Sequence, residues 1–358
     1  MKIVTILGTR PEIIRLSLII KKLDKCSNHT VIHTGQNYSS RLKDIFFQQL
    51  KLREPNFYLN ATNSSVGPQL SKIIDETYKI LKKIKPDKVL ILGDTNSGLA
   101  SIVTEKMMIP VYHMEAGNRC HDLLVPEEKN RHIIDAISSY NLPYTPGSYN
   151  NLIKEGHSPK KTIITGNPIN EVLINFKKEI EGSKILENLN LKKKNYFIVT
   201  THRAENVDNP KRLKEIFKGL DLVAKEYKMP IIVSLHPRTK EKMKKFGIEP
   251  KDKLIRLLEP MGFFDFVKLE KNAICAISDS GTVQEECCIL KVPTVTIRIT
   301  TERPETIECG SNILAGLNSN KILKSVKIMI RRKTNWKQPK GYANKNVSEK
   351  IISLMLHK

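Results

Sequence analysis

The stretch Ala273–Glu305, AICAISDSGTVQEECCILKVPTVTIRITTERPE, decides the fold. Ala273–Ile277 is a short apolar run of the length of a buried strand. Ser278, Asp279, Ser280 and Gly281 follow, residues suited to a tight turn and a helix N-cap. A helical pattern runs from Thr282 to Leu290, and Pro293 opens a second apolar strand that ends at Ile297. In such a strand–turn–helix unit the first backbone N–H groups of the helix lack partners and form an anion site, and Ser280 and Gly281 let a phosphate come close. Glu285 and Glu286 lie one turn on, where a carboxylate can accept from ribose hydroxyls. Arg298, Glu302, Arg303 and Glu305 cluster around Pro304. An ordinary βαβ unit would account for the turn alone; the clustered arginines and glutamates point instead to a pocket for a nucleoside diphosphate.

The same alternation extends in both directions. Strands are expected at Lys2–Leu7, Val31–Thr34, Lys88–Leu92, Val111–Met114, Leu142–Tyr144 and Thr162–Thr165, then at Tyr196–Thr200, Ile231–Leu235, Leu254–Leu257, Ala273–Ile277 and Thr294–Ile297. Helices fall between them, including Ile13–Leu23 behind Pro11, Leu70–Ile84, the run from Pro126 to about Ser139, and a last one at Val347–Leu356. Strands alternating with helices predict parallel sheets. Polar residues able to do chemistry follow the apolar strands directly: Arg10, Asp94, Glu115, His202, His236, Asp279 and Ser280. In open α/β sheets the carboxyl ends of the strands line the ligand crevice. Any one of these residues could be a satisfied structural group, but their repetition across both halves argues for a shared cleft.

The 358 residues have room for two domains with well-buried cores. An apolar content of 40% beside 27% charged residues is a globular profile. No run approaches a membrane span, and MKIVTILGTRPEI lacks the features of a signal peptide, so a cytoplasmic protein is expected. The six cysteines show no CxxC or Cys/His ligand spacing; Cys287 and Cys288 read as core thiols. The net charge of +23 would suit nucleic acid or an anionic surface. The lysines are dispersed, however, without aromatic interleaving, and they read as solvated faces.

Motifs along the chain carry a family resemblance. GTRPE at Gly8–Glu12, GDT at Gly93–Thr95, EAG at Glu115–Gly117 and PEEKNR at Pro126–Arg131 come in that order. GNP at Gly166–Pro168, THRAEN at Thr201–Asn206, HPR at His236–Arg238, the SDSG turn and TERPE at Thr301–Glu305 complete the set. The sequence resembles the non-hydrolysing UDP-N-acetylglucosamine 2-epimerases over nearly its whole length. The resemblance implies an α/β glycosyltransferase-B fold, two Rossmann-like doubly wound domains facing a central cleft. Residues 1–168 would form the first domain, with a C-terminal helix at 345–358 packing back on it, and 169–344 the second, UDP-binding domain. Arg10 and His202 would hold the diphosphate with Ser280, Gly281 and Thr282. Glu286 would take the ribose, and Arg15, Arg119, His236, Arg238 and Arg303 would also bind the substrate. Asp94, Glu115 and Glu127, with His202, would be catalytic. Gln36 and Gln69 would belong to a second, activating UDP-sugar site.

Three positions depart from the family pattern: Arg15 stands where lysine is usual, Thr282 replaces a glycine, and Asn118 replaces a leucine. EAGNRC and the YANKNVSEK tail resemble the branch that acts on 6-deoxy UDP-sugars. The implied chemistry is elimination of UDP and its re-addition after reprotonation at C2. That chemistry calls for several carboxylates and for neither NAD nor a metal, and no GxGxxG fingerprint is present. A homodimer acting on a UDP-sugar is expected, without nucleic-acid or membrane partners. The competing readings are a glycosyltransferase of the same fold, a hydrolysing epimerase that releases free sugar, and a nucleic-acid-binding protein.

Overall fold

The computed structural model describes residues 1–35, 40–62 and 65–357, with the side chains of 40–44 outside the description. The chain divides into two compact units, Met1–Asn175 with Lys340–Lys358, and Phe176–Pro339.

The first unit is built on β1 (Lys2–Leu7), β2 (Asn28–His33), β3 (Phe57–Tyr58), β4 (Lys88–Leu92), β5 (Val111–Met114) and β6 (Tyr140–Leu142). They form one parallel sheet in the order β3-β2-β1-β4-β5-β6. The central strands β1 and β4 are near-continuous aliphatic runs, as a sheet covered on both faces requires, and every residue of β4 and β5 is buried. The helix Arg10–Cys26 starts at Thr9 with Pro11 in its first turn. The final helix, Val347–Leu356, packs on it through buried Val347, Ile351 and Met355 and a Lys22–Glu349 ion pair.

The second unit contains β7 (Phe197–Thr201), β8 (Ile231–Leu235), β9 (Ile255–Leu258), β10 (Cys275–Ser278), β11 (Thr294–Thr296) and β12 (Asn312–Leu314). Its parallel sheet has the order β12-β11-β10-β7-β8-β9. Counted from each unit's own first strand, the two orders are the same doubly wound pattern. The strand order reverses between β1 and β4 in one unit and between β7 and β10 in the other. Ligands of such sheets lie at those switch points.

Two strand expectations are corrected. The sixth strand lies at Tyr140–Leu142, because Pro143 has no N–H with which to continue a ladder. Thr162–Thr165 yields only a bridge between Asn141 and Thr162. The strands β3 and β12 and the helix Ser40–Gln49 lie outside the sequence expectations. At two and three residues, β3 and β12 are too short to show a period.

Candidate active site

In the first unit the switch point is framed by the loops after β1 and β4, and Glu12 ties them together. Its Oε2 accepts from the Gly8 and Thr9 amides at 2.5 and 3.2 Å, and its Oε1 accepts from the Thr95 hydroxyl at 2.7 Å. Complete burial pushes the Glu12 carboxyl up to about 7 against these stabilising hydrogen bonds. The spacing Thr9-x-x-Glu12 is a capping-box pattern, so this strap had a sequence signal. Arg10 stands beside it, half-buried, its guanidinium 5.9 Å from the Phe46 ring centroid. It has no carboxylate partner among the described residues. Burial lowers its pKa, and an anionic ligand would offset that cost.

Two of the three expected carboxylates, Asp94 and Glu115, each meet an arginine. Asp94 Oδ2 accepts from Arg131 Nε at 2.7 Å, and Arg131, on the helix Pro126–Ile137, forms an ion pair with it. Glu115, at φ +70°, receives Arg15 Nη1 at 2.6 Å. Arg15 is therefore spent on Glu115, deep in the unit. Glu127 sits half-buried in the first turn of Pro126–Ile137. Its neighbour Glu128, fully buried, accepts from the Cys120 and His121 amides and pairs with Arg131. Burial acts to raise its pKa, but the amides and Arg131 outweigh it and hold it below the ordinary value.

Arg119 is held in an internal ion-pair network. Its buried guanidinium meets Asp135 at 2.7 Å and Glu155 at 2.8 Å, inside a network that also contains His113. Asn118, one of the three departures, donates weakly to Glu115 at 3.4 Å and accepts from Ser148 at 2.7 Å. Its role inside the loop accounts for it without reference to the sugar. Gln69 donates to Ala61 O and accepts from Asn96, next to the GDT loop. Gln36 lies outside the described residues.

In the second unit the hub is Asp279, without solvent exposure. It accepts from the Thr201 hydroxyl at 2.9 Å, the His202 and Arg203 amides at 3.1 Å, and Asn206 at 3.0 Å. The loop after β7 is thereby fixed to the loop after β10. His202 remains partly exposed with its ring 5.6 Å from that of His236. His236 caps the helix Pro237–Phe246 by accepting from the Arg238 amide, while Arg238 itself is exposed and paired with Asp208.

The helix Gly281–Leu290 opens at Ser280, whose hydroxyl lies 2.9 Å from that of Thr282. A Cβ on Gly281 would sit 2.6 Å from Glu302 Oε1, so glycine is what permits the close approach. Glu302 is clamped by Arg203 at 3.0 Å and Arg298 at 2.7 Å. Arg303 is buried on Glu285, which places it among structural ion pairs rather than at an open surface. Glu286 is buried one turn from the helix start and in hydrogen-bond contact with Glu270, a residue the motifs do not include.

A family model described as UDP-N-acetylglucosamine 2-epimerase matches residues 21–356. The chain belongs to the UDP-N-acetylglucosamine 2-epimerase family. A member from Methanocaldococcus jannaschii is 45% identical, with 100% of this chain and 99% of that protein covered. One from Methanococcus maripaludis is 43% identical over 98% of this chain and 97% of its own length. A crystal structure of the M. jannaschii protein in complex with UDP-GlcNAc and UDP superposes with a TM-score of 0.95, at 44% identity and 99% coverage of both chains. A Neisseria meningitidis family structure bound to UDP-GlcNAc gives 0.89 at 28% identity, covering 99% of this chain and 100% of that one. These relatives share the two six-stranded parallel sheets described above, and the glycosyltransferase-B-like fold of the family is the fold of this chain. No helix among the described residues is long and apolar enough to cross a membrane.

Proposed function

We propose that this chain is a non-hydrolysing UDP-N-acetylglucosamine 2-epimerase that interconverts UDP-GlcNAc and UDP-ManNAc. The observation that carries the reading is Arg10: a half-buried guanidinium without a carboxylate partner among the described residues, directly after β1 at the switch point of the first sheet. A diphosphate supplies the missing anion. Relatives at 43–45% identity bear the UDP-GlcNAc epimerase name, which supports the N-acetylglucosamine substrate over a 6-deoxy sugar.

In this reading the diphosphate is held by Arg10, His202 and the amides at Ser280–Thr282, with Glu286 on the ribose. A base removes the C2 proton while the C1–O bond breaks, its electrons leave with UDP, and a 2-acetamidoglucal remains. Protonation of C2 from the opposite face and attack of UDP at C1 complete the epimerisation. The donors around the diphosphate stabilise the charge that builds on the leaving group. Asp94 and Glu115, each paired with an arginine that favours the carboxylate, suit proton abstraction and support of positive character at C1; Glu127 completes the acid–base set. The nucleotide is its own leaving group, so the reading needs no added cofactor. It further assigns the enzyme to the cytoplasm as a homodimer that supplies UDP-ManNAc for surface polysaccharide.

Epimerisation carried to equilibrium in deuterium oxide tests the mechanism. Deuterium is expected at C2 of the product, with UDP detectable during turnover and no free N-acetylmannosamine. Product carrying only hydrogen at C2 would exclude elimination. Free sugar would indicate the hydrolysing reaction.

A further inference from the structure

Glu270, on the helix Phe263–Asn272, is closed off from solvent entirely. No donor among the described residues reaches either of its carboxyl oxygens. Its hydrogen-bond contact is with the carboxyl of Glu286, carried by the adjacent helix Gly281–Leu290 and itself buried. Two carboxylates have only acceptors to offer each other, so such a contact requires a proton between them. Glu270 is the more deeply buried, at 0% exposure against 5% for Glu286. Burial first, and then the charge of Glu286, raise its pKa well above the ordinary carboxyl value. The other titratable groups facing it are Cys287 and Tyr196. Burial keeps the Cys287 thiol neutral, and the Tyr196 hydroxyl donates to Leu269 O at 2.6 Å. Neither brings a positive charge. Glu285 and Glu302 on the same side of the unit each have an arginine, so a neutral acid at position 270 is a distinct arrangement.

We propose that Glu270 is a positioning residue for the nucleotide: as a buried neutral acid it donates a hydrogen bond to Glu286 and fixes that carboxylate to accept from the ribose hydroxyls. The inference rests on the reading of Glu286 as the ribose acceptor. A buried carboxylate loses hydration, and a donor that carries no charge restores part of it without adding a cation near the helix start at Ser280. A cation in place of Glu270 would compete for the phosphates. A second ionised carboxylate would repel Glu286 and disturb its hold on the ribose hydroxyls. Loss of the shared proton at high pH should therefore weaken nucleotide binding through the ribose alone.

The test compares UDP with 2′,3′-dideoxy-UDP by calorimetry on the full-length protein and on Glu270→Leu, Glu270→Gln and Glu286→Gln. Glu270→Leu is expected to lose at least tenfold in UDP affinity while binding the dideoxy nucleotide within twofold of wild type. Glu270→Gln, which keeps an N–H donor, should retain UDP affinity. It should also lack the decline that wild type shows for UDP, but not for dideoxy-UDP, as the solution is made alkaline. Wild-type UDP affinity in Glu270→Leu, failure of Glu270→Gln to rescue, or equal loss for both nucleotides would overturn the proposal. If Glu286→Gln still distinguishes UDP from dideoxy-UDP as wild type does, the ribose reading of Glu286 fails. If only the Glu286 variant loses the distinction, that reading stands and the role of Glu270 is refuted.

Discussion

Asp94, after β4, and Glu12, after β1, have opposite electrostatic solutions. Asp94 is paired with Arg131, whereas Glu12 is buried among amide and hydroxyl donors. Asp94→Asn keeps the shape and removes the charge needed at the transition state. Turnover should fall by about 10²–10⁴-fold, the usual worth of an acid–base group, with UDP affinity within twofold. Unchanged kcat would remove Asp94 from the chemistry. For Glu12 the folded-state pKa is raised to about 7 from an ordinary 4.5. Its neutral form is thus favoured by folding, so its contribution is fully present below about pH 4.5. That contribution is lost as pH rises toward 7, at about 1.4 kcal/mol per pH unit. Glu12→Gln cannot lose a proton, and its denaturation midpoint relative to wild type should rise progressively between pH 4.5 and 7. A difference between the two proteins that stays flat across that window would show that Glu12 does not titrate there.

The elements show which parts of the fold and site were legible. The apolar runs of β1, β4 and β8 had one reading, because Val/Ile/Leu-rich segments bounded by turn residues have few alternatives. The SDSG turn marked the start of the helix Gly281–Leu290 for the same local reason. The strands β3 and β12 were hidden by their brevity, and the sixth strand was misplaced by two residues at Pro143. In the site, residue types were legible but pairings were not. Arg15 with Glu115, Arg119 with Asp135 and Arg303 with Glu285 each join positions 16 to 100 apart in sequence. No local pattern reports such a distance. Gly281 is the element-scale test, since its replacement by alanine puts a methyl 2.6 Å from Glu302 Oε1, which Arg203 holds while Arg298 holds Oε2. Overpacking of this kind costs about 1–3 kcal/mol. Gly281→Ala should lower UDP affinity at least tenfold, with a small fall in melting temperature. Unaltered UDP affinity would show that the helix start can move without consequence for the ligand.

At the scale of the whole molecule, the order of the chain sets how the two units depend on its end. The chain leaves the first unit after Asn175, builds all of the second, and returns at Lys340. The first unit is therefore incomplete until the last helix is made. Val347, Ile351 and Met355 of that helix are fully buried, each worth about 1.5–3 kcal/mol of transfer free energy. The Lys88 ammonium, at the start of β4, donates to Leu354 O at 3.2 Å, and the Ser348 amide donates to Glu171 at 2.8 Å. The final segment also seats Asn344 against Gly166, whose φ of +93° leaves no room for a side chain. The second unit has its own sheet and core within Phe176–Pro339. Truncation after Pro339 should thus destabilise one unit and spare the other. Amide hydrogen exchange is the measurement that separates them, because it reads opening free energies segment by segment. Peptides covering β1, the helix Arg10–Cys26 and β4 are expected to lose protection by more than tenfold. Peptides covering β7, β8 and β10 should keep it. Equal loss in both sets would mean that the units unfold as one, and full protection in both would mean that the last helix is dispensable to the fold it closes.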